Sequence, residues 1–374
     1  MTPRTKRDIE RILPFGFIWL FLGVVSLVSD HATVAEVGAT PESAIRLTPA
    51  VTFFALTTVT LIGMGVGALE VLVLRDRFAS YTLAGKLLRK TALYVVLMSL
   101  FVLFGYVAAA SIELGTHPFD VRVREKLWLF LPSLTLVATA VQLLLSLLAS
   151  FLWAEVSELI GHGVLVGVLT GRYHKPREEV RIFLFSDMKS STQIAEDLGH
   201  LRYFELLRAY YRDLASAIIR HEGEVYQYIG DEIVVSWRLE KGIRRLNCLR
   251  CFFAMKAGLA ARASWYQSSF GQVPDFKAGL HVGPVTAGEI GALKKEIVFT
   301  GDVLNATARI QGLCAEYARD LLVSGQLVEH LGRHAGFKPE HVASTRLRGR
   351  EEPMSLFGVA ELGPTPVSSA RPES

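Results

Sequence analysis

Four apolar runs, each long enough to cross a bilayer, lie within the first 153 positions and leave this half of the chain few choices. They cover about 13–30, 50–73, 92–112 and 127–153. A helix needs roughly 20 apolar residues to span the hydrocarbon core, and in lipid a helix satisfies its own backbone groups. The expectation is an N-terminal four-helix transmembrane bundle over 1–153. The first run opens with basic residues, but no small-residue cleavage site follows, so it reads as a span and not as a signal peptide. Composition agrees: 51% of the 374 residues are hydrophobic, and the excess falls before about residue 155.

Orientation follows from where Lys and Arg sit between the runs. The N-terminal segment carries Arg4, Lys6, Arg7 and Arg11, and the second loop carries Arg75, Arg77, Lys86, Arg89 and Lys90. The first loop has only Arg46, and the third mixes Arg122, Arg124 and Lys126 with Glu113, Asp120 and Glu125. An even number of spans then puts both termini in the cytoplasm of a multi-pass protein of the plasma or inner membrane, with lipid as a partner. The net charge of +4 is modest and gathers beside the apolar runs, which speaks against nucleic acid as a partner. Glu70, near the cytoplasmic end of the second span, is expected to pair with Arg75 or Arg77, the alternative being a ligand cavity. Gly63, Gly65 and Gly67 are read as small residues that let helices approach closely.

Beyond the last run, Val156, Leu159, Ile160, Val164, Leu165, Val168 and Leu169 recur at helical spacing. Residues 154–179 therefore read as a linker helix, either packing on its twin in a dimer or merely connecting. A different pattern covers 180–362. VRIFLFSD (180–187) is a strand ending in an acid, and 190–221 a polar turn followed by an amphipathic helix. EVYQYIGDEIVVSW (224–237) is a hairpin, and 246–265 a helix. FKAGLHVG (276–283) is a strand closed by a glycine turn, KEIVFTG (295–301) another strand, and 303–318 a helix. Strand-helix-strand-strand-helix-strand is the α+β, ferredoxin-like βαββαβ arrangement. The Ser-, Pro- and Ala-rich segment 363–374 reads as a disordered tail. Cys248 and Cys251 form a CxxC on a helix without further ligands nearby, and read as small core residues.

Two carboxylates, Asp187 and Asp231, punctuate neighbouring strands of such a fold and can face one point. Acids held together repel unless cations bridge them, so a pair of Mg²⁺ or Mn²⁺ ions is the natural partner, and two metals suit in-line displacement at phosphorus. Ser190, Ser191 and Thr192 lead into a helix N-terminus, a cradle for phosphate. In TGDVLNATARIQ (300–311), Asn305 and Arg309 stand four apart and share a helix face, where an amide and a guanidinium can hold a ribose and a charged phosphate.

The four motifs FLFSDMKSST, YQYIGDEIVVSW, GLHVGPVTAGEIG and FTGDVLNATARIQ stand in the order and spacing of class III adenylate and guanylate cyclase domains. The resemblance covers about residues 178–330. It implies that Asp187, Asp231 and the backbone carbonyl of Met188 hold two Mg²⁺ or Mn²⁺ ions per active site. It also implies that Asn305 orients the ribose, Arg309 stabilises the transition state, and a head-to-tail homodimer shares two equivalent sites. The chain departs from the family at the base-reading positions. Gln227 stands where adenylate cyclases usually place a lysine, and Val298 where they usually place Asp or Thr. Glu232 and Ser190 replace commoner small residues. ATP is the first expectation for the substrate on family frequency, with GTP or a pyrimidine nucleotide as the alternative. A diguanylate-cyclase-like domain shares the hairpin motif but has Gly where Ile229 stands and no place for the Asn305/Arg309 pair. A catalytically dead, nucleotide-binding receptor is the remaining rival, and the intact Asp187, Asp231, Asn305 and Arg309 argue against it.

Overall fold

The computed structural model describes residues 2–37, 44–74, 83–292, 296–332, 338–346 and 352–359. Contacts divide it into two units, Thr5–Val166 and Gly167–Ser374, the latter together with Met1–Arg4. Segment 363–374, Arg75, Arg77 and Lys294–Lys295 lie outside the described residues.

The first unit is helical. It comprises α1 (Pro3–Val37), α2 (Pro49–Leu69, running on as a π-helical turn over Glu70–Leu74), α3 (Leu83–Leu114), α4 (Val121–Phe130) and α5 (Leu134–Ile160). Four of these are long and apolar enough to cross a membrane: Pro3–Ala32, Pro49–Leu74, Leu88–Leu114 and Leu134–Ile160. The fourth apolar run starts later than its sequence suggests. The chain turns at Leu131–Ser133, and Ser133 caps α5 by accepting the Leu136 N–H at 3.3 Å. Glycine lets α2 lie against α1: a Cβ on Gly63 would stand 2.5 Å from Trp19 Cγ, and one on Gly67 2.8 Å from Phe15 Cγ, whereas Gly65 meets nothing. Trp19 also donates its indole N–H to Ser150 Oγ on α5 at 2.9 Å, inside a core with Phe15, Tyr94, Met98, Leu147 and Phe151.

Glu70 pairs with Lys90 on α3, and both side chains are largely buried; the expected partners Arg75 and Arg77 lie outside the described residues. Removing one partner of a buried ion pair strands the other charge, at about 3–5 kcal/mol, whereas an apolar replacement of both is close to neutral. Glu70→Leu alone should therefore lower the thermal stability of the detergent-solubilised chain markedly. The double variant Glu70→Leu, Lys90→Met should recover most of the loss, as read by the melting temperature of each.

α5 continues to Ile160, where Gly161 at φ 86° breaks the helix before α6 (His162–Leu169). The continuous linker helix read from sequence is thus interrupted. Leu159 is 82% and Leu169 64% exposed, while Leu165 is buried.

The second unit is a mixed sheet with helices. Its order along the chain is β1 (Arg177–Met188), α7 (Ser191–Arg220), β2 (Glu224–Ile229), β3 (Glu232–Arg238), α8 (Leu239–Ile243), α9 (Asn247–Ala260), α10 (Ala263–Phe270), β4 (Phe276–Ile290), β5 (Glu296–Thr300), α11 (Asp302–Gly312), β6 (Leu321–Ser324), α12 (Gly325–Leu331), β7 (Pro339–Thr345) and β8 (Met354–Val359). The strands run β2-β3-β1-β4-β6-β8-β7, with β5 paired to β4. The first four are the ferredoxin-like set, and β5 to β8 extend it. Alternation along β1 sorts its side chains. Ile182 and Leu184 join the core with Leu206, Tyr210 and Leu214 of α7 and Phe252 and Met255 of α9. Phe183 and Phe185 face the other way, with Val234, Phe299 and Val303.

Several boundaries differ from the sequence reading, each for a local reason. Gly199 is non-helical within α7 (φ 70°, ψ 161°). The helix expected over 246–265 is two, because the turn at Ala261–Arg262 lets the Arg262 guanidinium reach Asp213 of α7 at 2.6 Å and lie 3.9 Å from the Trp265 ring. β4 does not turn at Gly283 but runs on to Ile290. That glycine makes room for Val303, which would stand 3.0 Å from a Cβ. The helix expected over 303–318 stops at Gly312.

Gly279 fixes how near α11 comes to the sheet. A Cβ there would meet the backbone of α11, 2.5 Å from Gln311 N and 2.8 Å from Thr307 O. Backbone cannot rotate out of the way, so Gly279→Ala must lift the helix. The expected outcome is a loss of about 1–3 kcal/mol of stability, together with a fall in any turnover that depends on Asn305 and Arg309, the α11 residues to which the resemblance assigns a role. A melting curve and an activity assay on the same preparation check both.

Candidate active site

The acids come together because of the β1–β3 pairing. The antiparallel register runs from Arg181 opposite Arg238 to Ser186 opposite Ile233, so Asp187 is the next position on the strand. Asp231 follows Gly230, whose φ of 61° makes the tight turn between β2 and β3. Tyr211 of α7 clamps that turn: its hydroxyl donates to Gly230 O at 2.8 Å and lies 3.2 Å from Glu232 O. The Asp187 and Asp231 carboxyls are within hydrogen-bonding reach of each other.

Burial raises the Asp187 carboxyl above the usual range, and Asp231 raises it further; Lys277 and Gln311 act in the opposite sense. Lys277 stands opposite Asp187 in the β1–β4 ladder, with Nζ 3.7 Å from Oδ2. Gln311, at the end of α11, donates to the same oxygen at 3.3 Å. Glu232 is likewise raised, by burial first and then by Asp187 and Asp231. Asp231 Oδ2 and Glu232 Oε1 are buried with no hydrogen-bond partner. Buried carboxylate oxygens without donors are costly, and a hard divalent cation, which takes oxygen ligands, is the group they fit. Sequence reasoning missed Lys277, Gln311 and Tyr211. The first two are visible only through strand register and helix packing, although Gln311 closes the quoted TGDVLNATARIQ motif.

Met188 ends β1 with its side chain buried. Ser190 adopts the left-handed conformation (φ 55°, ψ 29°) that glycine takes without strain. Ser191 opens α7 within hydrogen-bonding reach of Tyr203, and Thr192 is exposed. Ser190, Ser191 and Thr192, the residues expected to cradle phosphate, thus follow Asp187 within one short turn.

Asn305 and Arg309 are not brought to the acids of their own chain. α11 turns Val303, Ala306, Thr307 and Ile310 inward and leaves Asn305 exposed and Arg309 half-buried. At 3.6 residues per turn, Asn305 and Arg309 lie about 120° and 160° around the helix from Gln311, the side chain that reaches Asp187. Gln227 is exposed on β2 opposite Val234, beyond a bulge at Tyr226, and Val298 is half-buried on β5 opposite Gly288. Their neighbours tie the two strands together: Phe299 donates its N–H to the Tyr226 hydroxyl at 3.2 Å, and the rings lie 4.9 Å apart.

Comparison with known proteins agrees with this geometry. Residues 172–359 match the family model described as the adenylate and guanylate cyclase catalytic domain. The chain is 33% identical over 274 residues to Adenylate cyclase 2 of Rhizobium meliloti, covering 73% of this chain and 72% of that protein. It is 26% identical over 208 residues to Adenylate cyclase 1 of the same organism, of whose length that match spans 30%. Among solved structures, a bacterial light-regulated adenylyl cyclase shares the fold with a TM-score of 0.50 at 18% identity, over 60% of this chain and 65% of that one. A matching family model over half the chain, and a relative matched over most of both lengths, establish that this protein belongs to the adenylate and guanylate cyclase family and is a cyclase enzyme.

Proposed function

We propose that the chain is a membrane-anchored adenylate cyclase, converting ATP to 3′,5′-cyclic AMP and pyrophosphate at a site shared between two copies. The observation that carries this reading is the convergence of Asp187 and Asp231 with a buried, unpartnered carboxylate oxygen between strands. ATP as substrate is supported by the relatives, which are named as adenylate cyclases. GTP or a pyrimidine nucleotide is the alternative, because Gln227 and Val298 depart from the usual adenine readers. Residues 1–153 form the membrane domain, 154–179 the transducing linker and 180–362 the catalytic domain. The four apolar helices and the basic loops support a plasma-membrane location with both termini cytoplasmic.

In the reaction the ribose 3′-oxygen attacks the α-phosphorus, the bond from that phosphorus to the bridging oxygen breaks, and pyrophosphate leaves with the electron pair. Asp187, Asp231 and the Met188 carbonyl would hold two Mg²⁺ or Mn²⁺ ions, which supply activation of the attacking oxygen and neutralisation of the phosphates. Ser190, Ser191 and Thr192 place backbone N–H groups at the start of α7 for the phosphates. Asn305 holds the ribose by its amide, and Arg309 offsets the charge that grows on the phosphate oxygens. Support for a shared site comes from α11: its Asn305 and Arg309 face away from the acids of the same chain, so a second chain must bring them.

Asp187→Asn or Asp231→Asn should each cost more than about 1.4 kcal/mol of barrier lowering, a tenfold loss of turnover, while the domain stays folded. Mixing an Asp187→Asn chain with an Arg309→Ala chain should restore activity, because the mixed dimer holds one intact site. Absence of recovery where mixed dimers are demonstrated by pull-down would mean that each chain builds its own site. Base selection is tested separately. Gln227→Lys with Val298→Asp should raise kcat/KM for ATP relative to GTP, since an unpaired buried partner disfavours the wrong base by about 1–3 kcal/mol. Rates for ATP, GTP, CTP and UTP in both proteins decide; an unchanged ranking removes these two residues from base reading.

A further inference from the structure

The N-terminal helical unit is close-packed toward one end and open toward the other. Phe15, Trp19, Val66, Tyr94, Leu147 and Phe151 fill the space between α1, α2, α3 and α5 toward the end where Glu70 meets Lys90. Toward the opposite end the same four helices part around a cavity of about 650 Å³. It is lined by later turns of α1 and α3 and by earlier turns of α2 and α5. Protein interiors are close-packed, and a cavity of this size is typical of sites that take one small molecule between the helices of a bundle. Its rim is tied together. Tyr106 and Phe130 both line it, their ring centroids 3.9 Å apart, and the Tyr106 hydroxyl donates to Lys126 O at 3.3 Å. Lys126 in turn pairs with Glu113, so α4 is fastened to α3. Gly105 lines the same cavity, and a Cβ there would meet nothing within 4 Å.

The lining sorts by depth. Asp30, His31 and Arg46 stand at the rim and are exposed, so water serves them. Below them the walls are apolar, with Phe54, Val102, Ala138 and Leu143. Thr58 and Gln142 interrupt those walls. Thr58 lies nine residues into α2 and Gln142 eight into α5, which at 1.5 Å per residue sets both about 12–14 Å from the starts of their helices. Both side chains are half-buried, and neither makes a hydrogen bond to another described residue. Thr139, nearer the start of α5, differs: its hydroxyl donates to Thr135 O at 2.8 Å. Polar side chains within an apolar helix bundle are costly and as a rule find a partner. An amide and a hydroxyl at one depth can both donate, and neither carries charge. The group they suit is a neutral acceptor.

We propose that this cavity binds a small, uncharged, largely apolar molecule through a carbonyl oxygen that accepts from the Gln142 amide, with Thr58 as a second donor at the same depth. A lipid acyl chain is the other apolar occupant, but it ends in a methyl group and gains nothing from either side chain. A charged amphiphile would leave its head at the rim, where Asp30 and Arg46 bring opposite signs and favour neither. Recognition of the carbonyl therefore separates the proposed ligand from lipid.

Benzophenone is a suitable probe: it is neutral and apolar, has one carbonyl, and on irradiation bonds to a C–H group beside that carbonyl. The full chain in phosphatidylcholine nanodiscs is irradiated with it, and labelled residues are mapped by mass spectrometry. Dicyclohexyl ketone and dicyclohexylmethane, which differ chiefly in the oxygen, serve as competitors. Labelling of cavity residues such as Phe54, Val102 and Leu143 should saturate, and the ketone should displace the probe at about tenfold lower concentration than the hydrocarbon. Gln142→Leu should remove that advantage. Gly105→Phe, which puts a ring into the cavity, should cut labelling by about tenfold while the melting temperature stays at or above that of the parent. If that variant melts lower, Ala55→Phe fills the same space from α2 and is judged in its place. The proposal is overturned if labelling rises linearly with probe and is as strong at the outward-facing Leu61 and Leu145. Equal displacement by ketone and hydrocarbon overturns it too and leaves a lipid-filled cavity, as does a Gln142→Leu chain that keeps the preference for the ketone.

Discussion

β1 sits between β3 and β4, and its pairings on both sides decide what Asp187 meets. On one side the ladder brings the hairpin acids; on the other it brings Lys277. The result is negative charge gathered at a half-buried sheet end, with Lys277 at 3.7 Å and the Gln311 amide at 3.3 Å to offset it among the described residues. Such an arrangement is held by the packing around it. Tyr211 fixes the turn, the α7 and α9 core lies under the strands, and α11 is pressed close enough at Gly279 for Gln311 to reach across.

Much of this was legible in the sequence, and the parts that were not share a cause. Asp187 and Asp231 stood out because an acid at the end of an apolar strand, and an acid after glycine in a hairpin, are local patterns. Asn305 and Arg309 were visible as one helix face, but which way that face looks depends on the inward residues Val303, Ala306, Thr307 and Ile310. Gln311 and Lys277 act across elements, and no window of sequence contains their partner. Glycine was the least transparent residue. Gly283 read as a turn and is a packing position, whereas Gly279 drew no notice and sets the helix-to-sheet distance.

The N-terminal helical unit teaches the same lesson. Hydropathy located four candidate spans, yet the start of the fourth helix was set by the cap at Ser133, and Glu70 pairs with a lysine on the next helix. The i, i+4 pair Gly63 and Gly67 accepts the rings of Trp19 and Phe15, so α1 and α2 interlock through aromatic side chains seated on bare backbone. Gly161 then separates α5 from α6, and the cyclase family match begins beyond it at residue 172.

All three cysteines, Cys248, Cys251 and Cys314, are buried and free. Burial pushes the Cys248 thiol up to about 12 and the Cys314 thiol to about 11, and Cys251 is raised as well. Thiolate, the form that reacts, is scarce at neutral pH and out of reach of reagents. The native thiols should therefore react little with maleimides, so one cysteine introduced on the exposed face of α11 should carry a spin label or fluorophore by itself. No native cysteine would have to be removed first.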